Sequence, residues 1–179
     1  MFGAPDSVQP PLFPGLVIRQ VTQGDLLGLE WEGEYSHFRN MYQEAFQIAQ
    51  SGKAVLWIAD LPGDGLIGQL FIHLDGQRRD LADGLTCAYL YAFRVRPQHR
   101  RKGLGGHLLR VAEADLQQRK FQKITLNVAR INSLARSFYE KRGYRVVAPE
   151  AGRWSYIDLR GTRVDVVEPS WRMEKRLGN

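Results

Sequence analysis

The order of the predicted elements indicates a mixed α/β fold built on one sheet. Strand-like and helical segments follow as β, α-rich, β, β, β, α, β, α, β, β, with a strand–helix–strand unit at residues 86–129. The strand-like runs are short and rich in β-branched and aromatic residues, whereas two other segments repeat apolar residues at helical spacing. A length of 179 residues suits a single domain with a substantial core. We therefore predict one domain over residues 16–177.

The N-terminal part of the chain is predicted to change from an irregular arm to regular structure. Four of the eight prolines fall within the first 14 residues, which predicts a Pro-rich arm over residues 1–15. Residues 16–21 form the first predicted strand. Residues 26–50 carry apolar side chains at near-helical spacing and predict one or two helices, with a break at Gly33.

The remaining elements are predicted from apolar runs, turn residues and caps. Predicted strands lie at residues 54–59, 66–74, 86–95, 124–129, 144–148 and 171–177. One helix begins near Leu104, and a second, shorter helix follows Asn132, which is a good N-cap residue. The long stretch 149–170 can form an extra hairpin from residues 154–159 and 164–167.

The composition is that of an ordinary globular protein, with 44% hydrophobic and 25% charged residues. Cys87 is the only cysteine, so the chain can form neither an intrachain disulfide nor a cysteine-based metal cluster. No apolar run approaches the ~18–20 residues that a membrane helix needs, and no secretory signal pattern begins the chain. We expect a cytoplasmic protein with no metal and no membrane partner.

A basic, glycine-rich loop joins the strand at 86–95 to the following helix. Five basic residues and no acidic residue lie in it: Arg94, Arg96, Arg100, Arg101 and Lys102. The chain has 25 Lys+Arg against 19 Asp+Glu, so the remainder carries 20 against 19. Main-chain N–H groups at a glycine turn and at a helix start bind phosphate. The loop therefore predicts a phosphate-bearing ligand, and neither a Walker A loop nor a Gly-x-Gly-x-x-Gly dinucleotide loop is matched. No nucleic-acid partner is expected.

Two sequence signatures resemble those of the GCN5-related N-acetyltransferase (GNAT) superfamily. The first, residues 100–105, reads Arg-Arg-Lys-Gly-Leu-Gly and resembles Arg/Gln-x-x-Gly-x-Gly/Ala. The second, residues 132–144, carries Asn, Ala and Phe-Tyr-x-Lys-x-Gly-Tyr at the family's positions. The resemblance covers about residues 16–177. It implies the acyl-CoA N-acyltransferase fold, which is a mostly antiparallel sheet flanked by helices and splayed between its fourth and fifth strands, and it implies acetyl-CoA as the cofactor.

The resemblance also implies which residues bind the cofactor. Gly103, Gly105 and Gly106 would hold the pyrophosphate through main-chain N–H groups. The backbone of Phe93 and Val95 would pair with the pantetheine arm in the manner of an added strand. The predicted cofactor-binding residues are Phe93, Arg94, Val95, Arg100, Arg101, Lys102, Gly103, Leu104, Gly105, Gly106, Asn132 and Phe138. The basic side chains among them can instead be solvated surface charges, and Asn132 is already explained as an N-cap.

Tyr139 is the predicted catalytic residue, since the resemblance makes it the general acid that protonates the departing sulfur. The alternative is a buried core tyrosine. A main-chain N–H near Val95 would polarise the thioester carbonyl. Where some family members carry a glutamate base, this chain has Tyr89, which is a poor base at pH 7. Deprotonation can pass through ordered water, Tyr91, His73 or a carboxylate from elsewhere.

Acceptor recognition is predicted from two acidic or aromatic segments. Glu30, Glu32 and Glu34 lie in the segment that flanks the family's acceptor cleft, where they can attract a cationic amine or form a solvated acidic face. The 149–170 insert, with Trp154, Tyr156 and Asp158, can line the same cleft.

We predict an enzyme that transfers the acetyl group of acetyl-CoA to a primary amine of a small molecule or a protein, by direct attack in a ternary complex. Cys87 lies back along the strand from the expected thioester position, so nothing suggests a covalent acetyl-enzyme. Two alternatives stay open: an acyltransferase that uses another acyl-CoA donor or an O-acceptor, and a non-catalytic CoA-binding sensory module. The sequence also leaves open whether the chain forms a homodimer.

Overall fold

The computed structural model describes residues 13–178, so most of the predicted arm at residues 1–15 lies outside the described residues. The strands and α-helices in chain order are β1 (Val17–Gln20), α1 (Arg39–Gln50), β2 (Ala54–Leu61), β3 (Gly65–His73), β4 (Cys87–Val95), α2 (Leu104–Gln118), β5 (Lys123–Ala129), α3 (Ser133–Glu140), β6 (Arg145–Glu150), β7 (Arg153–Ile157), β8 (Arg163–Val167) and β9 (Ser170–Arg176). Short 3₁₀ helices span Gln23–Glu30, Ser36–Phe38 and Pro97–His99. Within residues 13–178, none of the helices is both long enough and apolar enough to cross a membrane.

Seven of the strands form one sheet in the order β1-β2-β3-β4-β5-β9-β6. Every neighbouring pair is antiparallel except β4 and β5, which run parallel. The parallel pair is joined by α2, as a strand–helix–strand unit requires. The mixed α/β fold with a mostly antiparallel sheet is therefore confirmed.

The sheet opens between β4 and β5. The two strands pair only from Cys87 opposite Lys123 to Leu90 opposite Leu126. Beyond Leu90, β4 continues to Val95 against β3 alone, while β5 continues against β9. The result is the splayed sheet that the family resemblance implies.

The two faces of the sheet are covered by different helices. On one face, α2 and α3 pack on the main core, to which α2 contributes Leu109 and Leu116 and the sheet contributes Leu126 and Met173. On the other face, α1 packs Tyr42 and Ala45 against a second cluster from β2 and β3. The apolar periodicity of α2 and of the second part of residues 26–50 thus corresponds to buried helix faces.

The segment before α1 is less helical than predicted. A 3₁₀ helix ends at Glu30, and the chain then turns through left-handed residues Trp31 (φ 46°), Glu32 (φ 56°) and Gly33 (φ 95°). The break predicted at Gly33 is present, and α1 begins only at Arg39. The turn is held by tertiary contacts, since the Trp31 side chain is buried and lies 4.7 Å from the Arg94 guanidinium carbon.

The insert at 149–170 forms the predicted hairpin, β7 paired with β8, as a separate two-stranded sheet. Its tip is joined to α1, where the Asn40 side-chain amide donates to the Asp158 carbonyl at 2.9 Å. The Phe38 and Tyr156 rings pack edge to face with centroids 4.9 Å apart. The hairpin therefore packs on the side of the sheet that α1 covers.

Candidate active site

The start of α2 presents main-chain N–H groups with no helical acceptor. Arg101 (φ 59°) and Gly103 (φ 88°) both adopt the left-handed conformation, which curls the loop just before the helix begins. The first helical hydrogen bond runs from the His107 N–H to the Gly103 carbonyl at 3.0 Å. The N–H groups of Leu104, Gly105 and Gly106 therefore precede the hydrogen-bonded part of the helix and can bind an anion.

Leu104 fixes the position of that helix start. Its side chain is 1% exposed and packs in a cluster with Val95, Ile67 and Leu108. The buried leucine joins α2 to the end of β4, so the free N–H groups and the sheet opening are held next to each other. Leu104 is one of the predicted cofactor-binding residues, and because its side chain is buried, only its backbone is available to a ligand.

Three of the five basic side chains that were predicted at the loop lie just before the start of α2. Arg101 and Lys102 are exposed, and Arg100 donates from Nε to the Val95 carbonyl at 2.8 Å. Arg101 and Lys102 are free to meet a phosphate, while Arg100 is partly engaged by the end of β4.

The other two basic side chains turn away from the loop. Arg94 donates to the Leu29 carbonyl at 2.7 Å and to Gln69 at 2.9 Å, and its guanidinium lies 3.5 Å from the Tyr35 ring centroid. Arg96 pairs with Glu32 through bonds of 2.6 and 2.9 Å. The five cations therefore do not converge on one anion, because tertiary contacts with the 29–35 segment hold two of them. Arg94 can contribute to the predicted cofactor site through its backbone only.

Arg142 is a cation at the helix start that the sequence reasoning missed. Its Nη2 atom lies 2.8 Å from the position that a Cβ at residue 106 would take, so Gly106 leaves room for the guanidinium. The guanidinium carbon sits 3.7 Å from the Phe138 ring centroid, and Nη1 donates to the Phe138 carbonyl at 2.8 Å. The sequence signal was Gly106 itself, a small residue in a helix where nothing in the local pattern requires one.

The two signatures meet in space at Gly105. A Cβ there would lie 3.5 Å from the Phe138 ring and 3.6 Å from the Phe93 ring. Asn132, at the start of α3, accepts from the Ala135 N–H through Oδ1 at 3.0 Å, which confirms it as an N-cap. The structure thus brings β4, the loop and α3 together around one opening.

A bulge in β4 sets the direction of its open edge. The β3–β4 register shifts between Gln69 and Phe71, and Ala92 has a left-handed φ of 48°. The Gln69 side chain is 1% exposed and donates from Nε2 to the Ala92 carbonyl at 3.0 Å. Gln69 was not singled out from the sequence, although a polar residue inside an apolar strand was a usable signal.

The main-chain groups of Phe93 and Val95 face the opening. The N–H of the next residue, Arg96, donates to the Ile67 carbonyl on β3 at 2.8 Å. Alternate residues of a strand direct their main-chain groups to opposite sides. The N–H groups of Val95 and Phe93 therefore point away from β3, toward the side that β5 has left.

Tyr139 lies beside the same opening. It is 8% exposed, and its ring contacts Phe138 and Tyr144 at centroid distances of 5.2 and 5.4 Å and Phe93 at 6.4 Å. Burial raises the pKa of Tyr139, so its hydroxyl keeps its proton at neutral pH. The hydroxyl of the neighbouring Tyr144 is already engaged in a hydrogen bond, since it donates to Glu113 at 2.9 Å.

The other side of the opening carries a stack of aromatic rings. His73 lies parallel to Tyr91 with centroids 4.4 Å apart, and Tyr91 lies parallel to Tyr89 at 6.1 Å. Burial raises the pKa of Tyr89 and of Tyr91, and it lowers the pKa of His73. Near pH 7 these three candidates for proton transfer are therefore uncharged.

The predicted acidic segment is largely neutralised. Glu30 is 4% exposed and pairs with Arg39 through bonds of 2.5 and 2.8 Å, and Glu32 pairs with Arg96. Neither is a free attractor for a cationic amine, and Glu30 is not a solvated surface charge. Glu34 is exposed.

Cys87 is buried at the start of β4, and its thiol donates to the Leu81 carbonyl at 3.0 Å. Burial raises the pKa of the Cys87 thiol, which keeps it un-ionised. Among the described residues, no group of three or more His, Cys, Asp or Glu side chains is arranged to hold a metal ion.

The sequence profile described as "Acetyltransferase (GNAT) family" matches residues 24–144. This match spans more than half of the chain, and the chain belongs to the GNAT family. Among curated protein sequences, none matches the chain significantly.

Solved structures of other acetyltransferases share the fold. The ribosomal-protein-S18-alanine N-acetyltransferase from Escherichia coli is 17% identical, with a TM-score of 0.67 over 92% of this chain and 95% of that one. Ard1 from Thermoplasma volcanium is 14% identical, with a TM-score of 0.70 over 92% and 99%. Mutant forms of the spermidine/spermine N-acetyltransferase SpeG from Vibrio cholerae are 18% identical, with a TM-score of 0.65 over 90% and 95%. At these identities the likeness establishes the fold alone.

Proposed function

We propose that the chain transfers the acetyl group of acetyl-CoA to the primary amine of a small molecule or a protein, by direct attack in a ternary complex. One juxtaposition carries the proposal: the free N-terminus of α2 lies beside the opening between β4 and β5, and Tyr139 lines that opening. Membership of the GNAT family supports acyl transfer. Acetyl-CoA as the donor and a primary amine as the acceptor are proposed from the chemistry of the site.

The residues at the start of α2 fit the phosphates of CoA. Three main-chain N–H groups at Leu104, Gly105 and Gly106 suit a diphosphate, because they add to the positive end of the helix dipole. Arg101, Lys102 and Arg142 supply charge around them. Arg142 is held by its bond to the Phe138 carbonyl, so little side-chain entropy remains to be lost on binding.

The open edge of β4 fits the peptide-like arm of the same cofactor. Phe93 and Val95 present main-chain groups to the opening, where an extended chain can add as a strand. The Val95 carbonyl already accepts from Arg100 at 2.8 Å. The N–H of Phe93 and the N–H of Val95 would therefore be the principal donors to the ligand.

The chemistry follows from these placements. Acetyl-CoA, when bound, supplies an activated thioester. The neutral acceptor nitrogen would form a bond to the carbonyl carbon while the C–S bond breaks; the amine loses one proton and the sulfur gains one. A main-chain N–H on the open edge of β4 would stabilise the charge on the carbonyl oxygen. Tyr139 would give its proton to the sulfur, which its raised pKa leaves available at neutral pH.

Calorimetry and a turnover assay with purified protein test this function. CoA should bind much more tightly than pantetheine, and salt should weaken CoA binding, since the phosphates carry the charge. In a panel of amines with acetyl-CoA, at least one should release free CoA in an acceptor-dependent way. Equal affinity for CoA and pantetheine would remove the phosphate site, and binding of CoA without release for any acceptor would favour a non-catalytic module.

A further inference from the structure

The polar groups nearest the sheet opening on the α1 side are neutral. Tyr89 on β4 and Asn127 on β5 project from one face, because Leu90 and Leu126 beside them pack in the core on the opposite face. Both lie close to the last β4–β5 pair, Leu90 opposite Leu126, after which the strands separate. These two side chains therefore border the place where an acceptor would approach.

Asn127 carries an unpaired acceptor atom. Its Oδ1 is buried and has no hydrogen-bond partner within residues 13–178, and its amide lies beside the Tyr89 hydroxyl. Burying an acceptor without a donor is unfavourable. An oxygen in this state at the edge of a cleft is suited to an N–H donor that a ligand brings.

The charged side chains around Tyr89 neutralise one another. Arg78 pairs with Asp80 at 2.7 Å and with Glu150 at 3.1 Å. Arg172 pairs with Asp80 at 2.7 Å, and its Nε donates to Glu150 at 2.8 Å. Two cations and two carboxylates therefore form a closed network, which leaves no free carboxylate to attract a cation and no free cation to bind a carboxylate.

The other titratable groups on this side hold no charge or lie at the rim. Tyr91 and His73 stack beside Tyr89, and Tyr139 on α3 lies close enough to Tyr89 for the two groups to interact electrostatically. Burial keeps all of these rings uncharged at neutral pH. From α1, Glu44 acts on Tyr91 through its charge, and it is exposed to solvent.

We propose that Asn127 and Tyr89 receive the acceptor nitrogen, and that the acceptor is the free α-amino group of a peptide chain, not a lysine side chain or a polyamine. The proposal rests on the acetyl transfer proposed above. The carboxylates around Tyr89 are paired with Arg78 and Arg172, and the exposed Glu44 lies at the rim beside Tyr91. Neither Asn127 nor neutral Tyr89 can take a proton from an ammonium ion, so the amine must arrive neutral. The Asn127 Oδ1 would then accept one N–H of the neutral nitrogen and hold it at the opening.

The ordinary pKa values of amines separate the two substrate classes. An α-amino group has a pKa of about 7.7–8.0 and a lysine amine about 10.4. At pH 7.5 about a third of the former is neutral, against about 0.1% of the latter. A free amino acid would also bring a carboxylate, for which Arg78 and Arg172 are already occupied, whereas a peptide brings an amide. The hairpin rings Trp154 and Tyr156 pack with Phe38 on the α1 side of the sheet, where they offer an apolar surface for the side chains that follow the α-amine.

Matched acceptors test the substrate class. The probes are Ala-Ala-Ala amide, which has one α-amine, the N-terminally acetylated peptide Ala-Lys-Ala amide, which has one lysine amine, and spermidine. With release of CoA as the readout, kcat/KM for the α-amine should exceed that for the lysine amine by on the order of 10²-fold at pH 7.5. The ratio should fall to about tenfold at pH 9.5, where more lysine is neutral. Equal use of the two peptides at pH 7.5, or preference for spermidine, would overturn the inference.

Two variants of Asn127 test the residue. Asn127→Leu keeps the size but removes Oδ1, and should raise KM for Ala-Ala-Ala amide about tenfold while CoA affinity stays unchanged and Tm does not fall. Asn127→Asp adds a carboxylate and should raise kcat/KM for the lysine peptide at pH 7.5. An unchanged KM in Asn127→Leu would remove Asn127 from the acceptor site. Transfer to lysine or spermidine but not to the α-amine rejects this inference and keeps the proposed function. No transfer to any of the three probes rejects this inference, and no transfer across the wider amine panel rejects the proposed function as well.

Discussion

The side-chain amide of Gln69 on β3 donates to the main-chain carbonyl of Ala92 on β4 at 3.0 Å. Ala92 is the left-handed residue of the β4 bulge, and the bond replaces the ladder contact that the bulge interrupts. The other end of the same amide accepts from Arg94 at 2.9 Å. One buried side chain therefore fixes both the bulge and the arginine that follows it, and through them the direction of the open edge of β4.

Gln69→Leu should lower both stability and turnover. The change leaves the Ala92 carbonyl without its partner in a buried place, which costs about 1–3 kcal/mol in the free energy of unfolding, whereas Arg94 keeps its bonds to the Leu29 carbonyl and the Tyr42 hydroxyl. Urea unfolding and the rate of CoA release measure the two effects. Gln69→Glu is the matched control, since it can still accept from Arg94 but cannot donate to Ala92; full turnover in both variants would show that the bulge needs no such bond.

Gly105→Asp should abolish CoA binding and leave the fold intact. A carboxylate near the start of α2 repels phosphate, and a like charge about 4 Å away reduces affinity by about 10²-fold or more. Gly105→Ala is the control, because a Cβ there meets Phe138 and Phe93 at 3.5 and 3.6 Å, which are ordinary contacts. Calorimetry with CoA and circular dichroism check the pair, and normal CoA binding by a folded Gly105→Asp would mean that the loop does not hold the phosphates.

Arg142→Gln should weaken CoA binding about tenfold and leave pantetheine binding unchanged. The guanidinium lies over Gly106 at the start of α2, where it would meet the phosphates but not the pantetheine arm. One hydrogen bond to a charged group contributes about 1.5–3 kcal/mol to binding. At an exposed site, where water competes, only part of this contribution remains. Titration with CoA at low and high salt separates the effect of charge from that of packing. If the charge matters, the gap in CoA affinity between the wild type and Arg142→Gln should shrink at high salt. Equal loss for both ligands would assign Arg142 to the fold of α3 instead.

Tyr139→Phe should lower turnover by about 10²–10⁴-fold with little change in acetyl-CoA affinity. The ring and its contacts with Phe138 and Tyr144 remain, so Tm should barely move. The loss will be smaller if the thiolate leaves unprotonated, because a thiol has a pKa near ~8.5. A large fall in Tm with a proportional loss of activity would favour the core-tyrosine alternative.

The stability of the protein should fall at mildly acidic pH in a way that depends on His73. Burial lowers the pKa of His73 below the value it has in the unfolded chain. The unfolded state therefore binds more protons as the pH drops through about 6.5, and the contribution of His73 to stability, fully present above that pH, is lost below it. His73→Phe keeps the stack on Tyr91 and should flatten the difference in unfolding free energy between pH 7.5 and pH 5.5; an unchanged difference would show that His73 takes up its proton in the fold without penalty.

Sequence patterns predicted those parts of the protein that depend on short-range order. The glycine loop, the N-cap at Asn132, the order of elements along the chain and the insert hairpin each have a signal within a few residues. The splay between β4 and β5 came from the family resemblance, since no local pattern reports which strands separate.

The remaining parts of the site depend on contacts between distant segments. Arg94 reads as a loop cation, but its partner Leu29 is 65 residues away in sequence. The same contacts keep the turn at Trp31 irregular, against its helix-like spacing. Arg142 lies in the second signature, but only the packing of α3 near the start of α2 brings it to the predicted phosphate site. Asn127 lies in a predicted strand, but only the separation of β4 and β5 brings it to the opening.

Among the described residues, the β7–β8 hairpin shares no ladder with the main sheet, and the bond from Asn40 to its tip joins it to α1. Its length and sequence can therefore change during evolution without shifting the register of any strand that carries the cofactor site. We therefore expect that exchanging this single hairpin changes which acceptor is used and leaves the predicted cofactor site in place.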